Sequence, residues 1–217
     1  MLRGQMLIVS LAAAAGLLVL SGPSLAYPGI NAGADAGYSL ILPTGMVYPS
    51  AIHGAAARAR IGYGFDETWG IEAGLGLSWY QPYTPYTKVE READDKSGTT
   101  VTYYKGAPVE GLRIQDVALA LSYAIDTYRL RPTLALGVSS ARILETKGGQ
   151  VETSHDLAIR LELAVDVAVN RIVSLGAAIS LDTFLLGNSP YETRNNFLLR
   201  ATFHWDVSNL GRRRKSR

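Results

Sequence analysis

The chain carries three histidines, His53, His155 and His204, and no cysteine, so nucleophilic or metal chemistry would have to pass through those three rings. Hydrolysis by a serine needs its hydroxyl within hydrogen-bond reach of an imidazole, with a third group to orient the ring. Ser154 and His155 are adjacent, but neighbours in a strand point to opposite faces and cannot readily form that pair. His53 lies close to Ser50 at a segment end and could meet it across a rim. His204 stands on the polar parity of its segment, where a packed, hydrogen-bonded ring is expected. Spread over three segments, the histidines show no metal-ligand spacing. Without cysteine there is neither disulfide nor thiolate site, and no glycine-rich loop is shaped to cradle phosphate. The expectation is a protein that is not an enzyme, with no catalytic residue, metal or cofactor, and with no affinity for nucleic acid.

The remaining chemistry-bearing residues are arginines and carboxylates, and their spacing points to the elements that hold them. From Leu157 to Val169 every odd residue is apolar, while the even residues include Arg160, Glu162 and Asp166. Successive side chains of a strand face opposite ways, so this is a strand with one apolar and one charged wall. The pattern recurs over 34–43, 53–65, 70–80, 114–125, 128–140, 156–169, 172–183 and 196–207. Such lengths suit tilted strands crossing a bilayer, for which about 9–11 residues suffice. Short connections at Asp66–Trp69, Asp126–Thr127 and Asn170–Arg171 alternate with longer ones at 44–52, 81–113, 141–155 and 184–195. Short periplasmic turns and long external loops give that asymmetry. Within 81–113, Thr99–Tyr104 could extend the fourth strand beyond the membrane. The expected fold is all-β: an eight-stranded antiparallel up-and-down transmembrane β-barrel.

A secreted lipocalin-like barrel alternates in the same way but turns its apolar face inward around a ligand. Three features favour the inverse. Aromatics on the apolar parity gather near strand ends: Tyr63, Phe65, Tyr123, Tyr128, Phe203 and Trp205 at one end, Trp79 and Phe197 at the other. Phe184 joins the second group, and two such girdles match two bilayer interfaces. Every lysine (Lys88, Lys96, Lys105, Lys147, Lys215) falls in an expected loop or the tail. The polar wall is glycine, alanine and serine interspersed with charge, and an eight-stranded interior is just wide enough for side chains to fill it. Charges buried there need partners. Topology suggests Arg129 and Arg131 with Asp166, Arg58 and Arg60 with Glu72, Glu162 with Arg160 or Arg200, and Asp35 with His204. This network reads as structural filling, with a thin polar conduit as the functional alternative.

Residues 1–26 have the form of a cleavable secretion signal. Arg3 precedes an apolar stretch from Leu7 to Leu20, Ser21-Gly22-Pro23 breaks it, and Ser24-Leu25-Ala26 offers a cleavage site before Tyr27. The barrel is expected over 27–207, followed by a basic periplasmic tail over 208–217 that holds Arg212-Arg213-Arg214-Lys215. External loops repeat a tyrosine–proline pairing at Tyr48-Pro49, Pro82-Tyr83, Pro85-Tyr86 and Pro190-Tyr191. Stiff, tyrosine-bearing loops suit either a contact surface or the completion of the outer girdle.

By its alternating strands, girdles and loop asymmetry, the stretch from Tyr27 to Val207 resembles the small eight-stranded outer-membrane β-barrel superfamily. That group includes the transmembrane part of outer-membrane protein A and the opacity-type adhesins. The resemblance implies residence in the bacterial outer membrane and a structural, envelope-integrity or adhesin-like surface role. It also implies contact with outer-membrane lipid and lipopolysaccharide, with the barrel-assembly machinery, and with an extracellular ligand at the loops. A small-solute pore or lipid-handling barrel is the alternative. The chain departs from the pattern by running on for ten residues past Val207, where many relatives end on a phenylalanine, and no second domain is expected there.

Overall fold

The computed structural model describes residues 29–206, apart from 45, 67, 93–98, 126–129, 171 and 189. The expected signal, the basic tail, Tyr128 and Arg129 therefore lie outside the described residues.

Eight long strands close into one barrel. They are β1 (Gly29–Pro43), β3 (Ile52–Gly64), β4 (Trp69–Tyr80), β7 (Gly111–Ala124), β8 (Leu130–Lys147), β9 (Gln150–Ala168), β10 (Val173–Phe184) and β11 (Tyr191–Asp206). Each pairs antiparallel with its sequence neighbour among the eight, and β1 pairs with both β3 and β11 to complete the ring. Closure removes every exposed sheet edge from the wall. At one end the strands are joined by tight turns held by side-chain caps. Asp66 Oδ1 accepts from the backbone amides of Thr68 (2.7 Å) and Trp69 (2.6 Å), which holds its carboxyl below the usual range. Asn170 Oδ1 does the same for Ile172 and Val173, both at 2.8 Å. Such Asx turns replace the ladder bonds that end with the strand.

At the other end β11 begins at Tyr191, inside the expected loop 184–195, and the structure departs further from the sequence reading in two other places. Segment 141–155, expected as a loop, continues β8 and β9 into a tall hairpin. It turns on Gly148 and Gly149, whose φ angles of 54° and 77° suit the positive-φ pair of a two-residue hairpin turn. The alternation does not stop there but changes phase: the apolar residues move from even positions (Leu136, Val138) to odd ones (Ala141, Ile143). A scan for one phase reads that change as an end. The second departure lies in 81–113. Thr99–Tyr104 does not lengthen the fourth strand. It forms β6 (Thr99–Lys105), which pairs with β5 (Tyr86–Glu92), and β5 pairs with β2 (Met46–Tyr48) in a separate three-stranded sheet. Lys88, Lys105 and Lys147 are consequently strand residues rather than loop residues.

Candidate functional site in the barrel interior

Inward-facing side chains fill the barrel in layers. The layer nearest the tight turns is a cluster of three arginines and four carboxylates. Asp35 on β1 stands opposite Arg58 of β3 and Arg200 of β11 in register. Arg58 Nη2 lies 2.6 Å from Asp35 and its Nη1 reaches Glu162. Arg60 contacts Asp35 at 3.0 Å and Glu72 at 3.2 Å, and its Nη2 donates to Thr202. Arg200 sits between Glu162 (3.1 Å), Asp35 (3.7 Å), Glu72 (3.7 Å) and Asp166 (3.9 Å). Arg131 lies opposite Asp166 in register.

Above this cluster Leu198 packs inward on Ala56, Ala164 and Ala178, and above that lies a second cluster. Arg160 contacts Asp182 at 2.6 Å and Asp116 at 2.8 Å. Arg194 contacts the same two carboxylates, each at 2.8 Å. Two guanidiniums and two carboxylates thus form a closed, neutral ring. Desolvation of such charges is costly, and mutual pairing with full hydrogen bonding is what offsets it. Glycines make the room: a Cβ at Gly76 would lie 2.8 Å from Asp116 Oδ1, and one at Gly33 2.7 Å from Arg60 Nη2. A bridge of neutral polar groups follows, in which Ser39 Oγ lies 2.7 Å from both the Tyr80 hydroxyl and Asn196 Oδ1.

The end opposite the tight turns is closed by an apolar cluster of Ile41, Ile52, Tyr80, Val109, Leu112, Ile114, Ala141, Ile143 and Tyr191. Over it, the Tyr191 hydroxyl donates to Glu145 and lies 2.7 Å from the Tyr83 hydroxyl. Between the layers lies a cavity of about 10 Å³ beside Arg58, Asp116, Arg160 and Arg194, room for about one water molecule.

The sequence-derived partners are only partly the observed ones. Arg60 meets Glu72 and Arg200 meets Glu162, but Arg58 turns to Asp35 and Glu162 rather than to Glu72. Arg160 does not meet Glu162. It reaches its register partner Asp182 and, across β8, Asp116. Asp35 faces three arginines instead of His204, whose Nε2 lies 2.9 Å from Ser174 Oγ. Sequence reasoning passed over Asp116, Asp182 and Arg194. Asp116 and Asp182 do lie on the inward parity of their strands, whereas Arg194 falls in a stretch expected to be a loop. Of the girdle residues, Tyr63, Phe65, Trp79, Tyr123, Phe197, Phe203 and Trp205 are exposed on the outer wall. Phe184 is not. It packs against the apolar cluster because its parity at the end of β10 is inward.

The other two histidines are outside this interior. His53 Nδ1 bonds the Tyr38 hydroxyl on the outer wall, and the His155 carbonyl accepts from Asn188 at 3.3 Å. Among the described residues no group of three histidine or carboxylate side chains is placed to hold a metal ion. The arrangement pairs buried charges with one another.

No family model matches the chain, and no match was found among curated protein sequences. Solved structures do match. Neisserial surface protein A superposes with a TM-score of 0.56 at 15% identity, covering 81% of this chain and 96% of that one. The outer membrane protein OprG from Pseudomonas aeruginosa gives 0.51 at 10% identity, covering 85% and 100%. With its apolar outer wall, filled interior and end-to-end likeness to those structures, the chain has the fold of the small eight-stranded outer-membrane β-barrels.

Proposed function

We propose that this protein is a plugged barrel of the bacterial outer membrane that anchors a surface-exposed superstructure, with a structural or surface-interaction role. The carrying observation is the filled interior: two ion-pair clusters and an apolar cap occupy it, and the cavity between the clusters, about 10 Å³, is too small to pass solutes. Exposed Leu75, Val117, Leu136, Val138, Leu163 and Leu199 on the outer wall support the membrane location, because hydrocarbon is the solvent that accepts such a surface. The three-stranded sheet and the β8–β9 hairpin stand at the end opposite the tight turns, the side that faces out in barrels of this type. They supply the surface that an extracellular ligand would meet. In this reading residues 1–26 direct secretion, 208–217 form a periplasmic tail, the assembly machinery inserts the barrel, and lipopolysaccharide surrounds its outer half.

The test joins location to conductance. Protein from the outer-membrane fraction should migrate faster on a gel unboiled than boiled, and should give no steady conductance in a planar bilayer. Steady conductance would instead establish the small-solute pore. Absence of the boiling shift, with good solubility without detergent, would establish a secreted barrel.

A further inference from the structure

Arg58, Arg60, Arg160, Arg194 and Arg200 in the interior are held by carboxylates; two arginines on the outer wall are not. Arg113 on β7 and Arg142 on β8 are exposed and alternate with fully buried Leu112, Ile114, Ala141 and Ile143, so both point outward. Among the described residues neither has a hydrogen-bond or ion-pair partner. The outward positions of β7, β8 and β9 carry no carboxylate, and these two are their only formal charges. Elsewhere round the barrel strands the described outward wall is uncharged apart from exposed Glu192, next to the bulge at the start of β11.

Register fixes where the pair sits. Arg113 is the direct cross-strand partner of Trp79, an aromatic of the upper girdle. Arg142 is flanked directly by Gln115 on one side and exposed His155 on the other, and Arg113 is its diagonal neighbour, about 7–8 Å away by sheet geometry. Just below, exposed Ser140 is flanked in register by exposed Val117 and Leu157, with exposed Val138 beneath it. An apolar wall thus runs up into two unpartnered guanidiniums and an imidazole at the level of the girdle. On β1, β3 and β4, by contrast, the same level carries Tyr38, His53 and Trp79.

We propose that Arg113, Arg142 and His155 bind the phosphate of a phosphorylated glycolipid in the outer leaflet, whose acyl chains cover Val117, Val138 and Leu157. Guanidinium forks match phosphate oxygens and form charge-assisted bonds with them. Long basic side chains at this depth keep their stems on apolar surface and their heads in the headgroup layer. A lipid fits better than a free anion because the cationic patch is continuous with the chain-binding wall. This site rests on the outer-membrane reading.

The test uses full-length protein taken from the outer-membrane fraction into neutral detergent. Native mass spectrometry follows its occupancy by bisphosphorylated lipid A, by phosphate-free lipid A and by inorganic phosphate. The wild type should prefer the bisphosphorylated lipid by about ten-fold or more, as expected for two basic residues near an anionic headgroup. Arg113→Gln with Arg142→Gln should abolish that preference, while Gln115→Ala should keep it. If the double variant fails to fold, the single variants R113Q and R142Q should each lose part of the preference. Equal binding of both lipids by the wild type, or an undiminished preference in the folded arginine variants, overturns the site. Inorganic phosphate binding as tightly as the lipid overturns it too. The boiling shift on the same preparations separates the two readings: without it in the wild type the membrane barrel itself fails, whereas a shifting barrel with no phosphate preference fails only here.

Discussion

Across Ser139 to Ala141 on β8 the barrel reverses its polarity. Nearer the tight turns the inner wall holds Asp116, Arg160 and Glu162, while Val117, Val138 and Leu161 face out. Toward the hairpin the inner wall holds Leu112, Ile114, Ala141 and Ile143, while Arg113, Gln115 and Arg142 face out. The strands, the pleat and the hydrogen-bond ladder are continuous through the change. Only the solvent differs. Against hydrocarbon the outer wall must be apolar, so the polar set is turned inward and has to neutralise itself. Above the hydrocarbon, in the headgroup layer and the water beyond it, the hydrophobic effect drives the apolar set inward as in any soluble domain. The apolar cap also keeps water from the ion pairs beneath it, so the two fillings support each other.

The sharpest way to break the contrast is to strand a charge in the lipid-facing half. Glu162 accepts from both Arg58 and Arg200, so Glu162→Ala should cost about 3–5 kcal/mol. Urea unfolding in detergent micelles, followed by tryptophan fluorescence, measures it, and an unchanged midpoint would mean that position 162 meets water. In the cap the loss is of apolar contact alone: Ile143 is fully buried, and Ile143→Ala should cost about 2–4 kcal/mol. Its unfolding signature should lie in the cap, seen as faster hydrogen exchange at 111–114 and 141–145 while the charged layers stay protected. A smaller effect is expected where glycine makes room for the upper ring. Gly76→Ala places a methyl against Asp116, and the resulting overpacking should cost about 1–3 kcal/mol. Gly111, whose added Cβ would meet nothing closer than 3.7 Å, serves as the comparison site and should tolerate alanine.

The smallest effect concerns pH and touches the cap only. Burial pushes the Tyr83 phenol up to about 12 from its usual 10.0. The folded state therefore holds that proton longer than the unfolded chain does. Its stabilisation is complete below about pH 10 and is lost as the pH rises toward about 12. Tyrosinate absorbance should show this late step, and Tyr83→Phe should lower its amplitude by one phenol without altering the boiling shift.

The same contrast explains what could be read from the residues. Along β9 a single phase of alternation runs from Leu157 to Val167 under one solvent, and there strand, inward face and outward face were all legible. On β8 and β7 the phase changes where the solvent does, so single-phase alternation ends at 140 and begins at 114 although the strands run on. Arg194 stands in β11, which starts at Tyr191, five residues before the alternation from 196. The type of Phe184 suits an interface, but its parity on β10 is inward.

The sequence by itself determined the strand period, the number of strands in the barrel and the inversion of its walls. Those follow from local backbone geometry and from which solvent each face can tolerate. Tertiary structure alone decided which charge meets which. Arg58 reaches Glu162 across the lumen, and Arg160 passes β8 to reach Asp116. Those partners lie 104 and 44 residues apart in the chain, and only barrel closure and the stagger of its strands bring them within bonding distance.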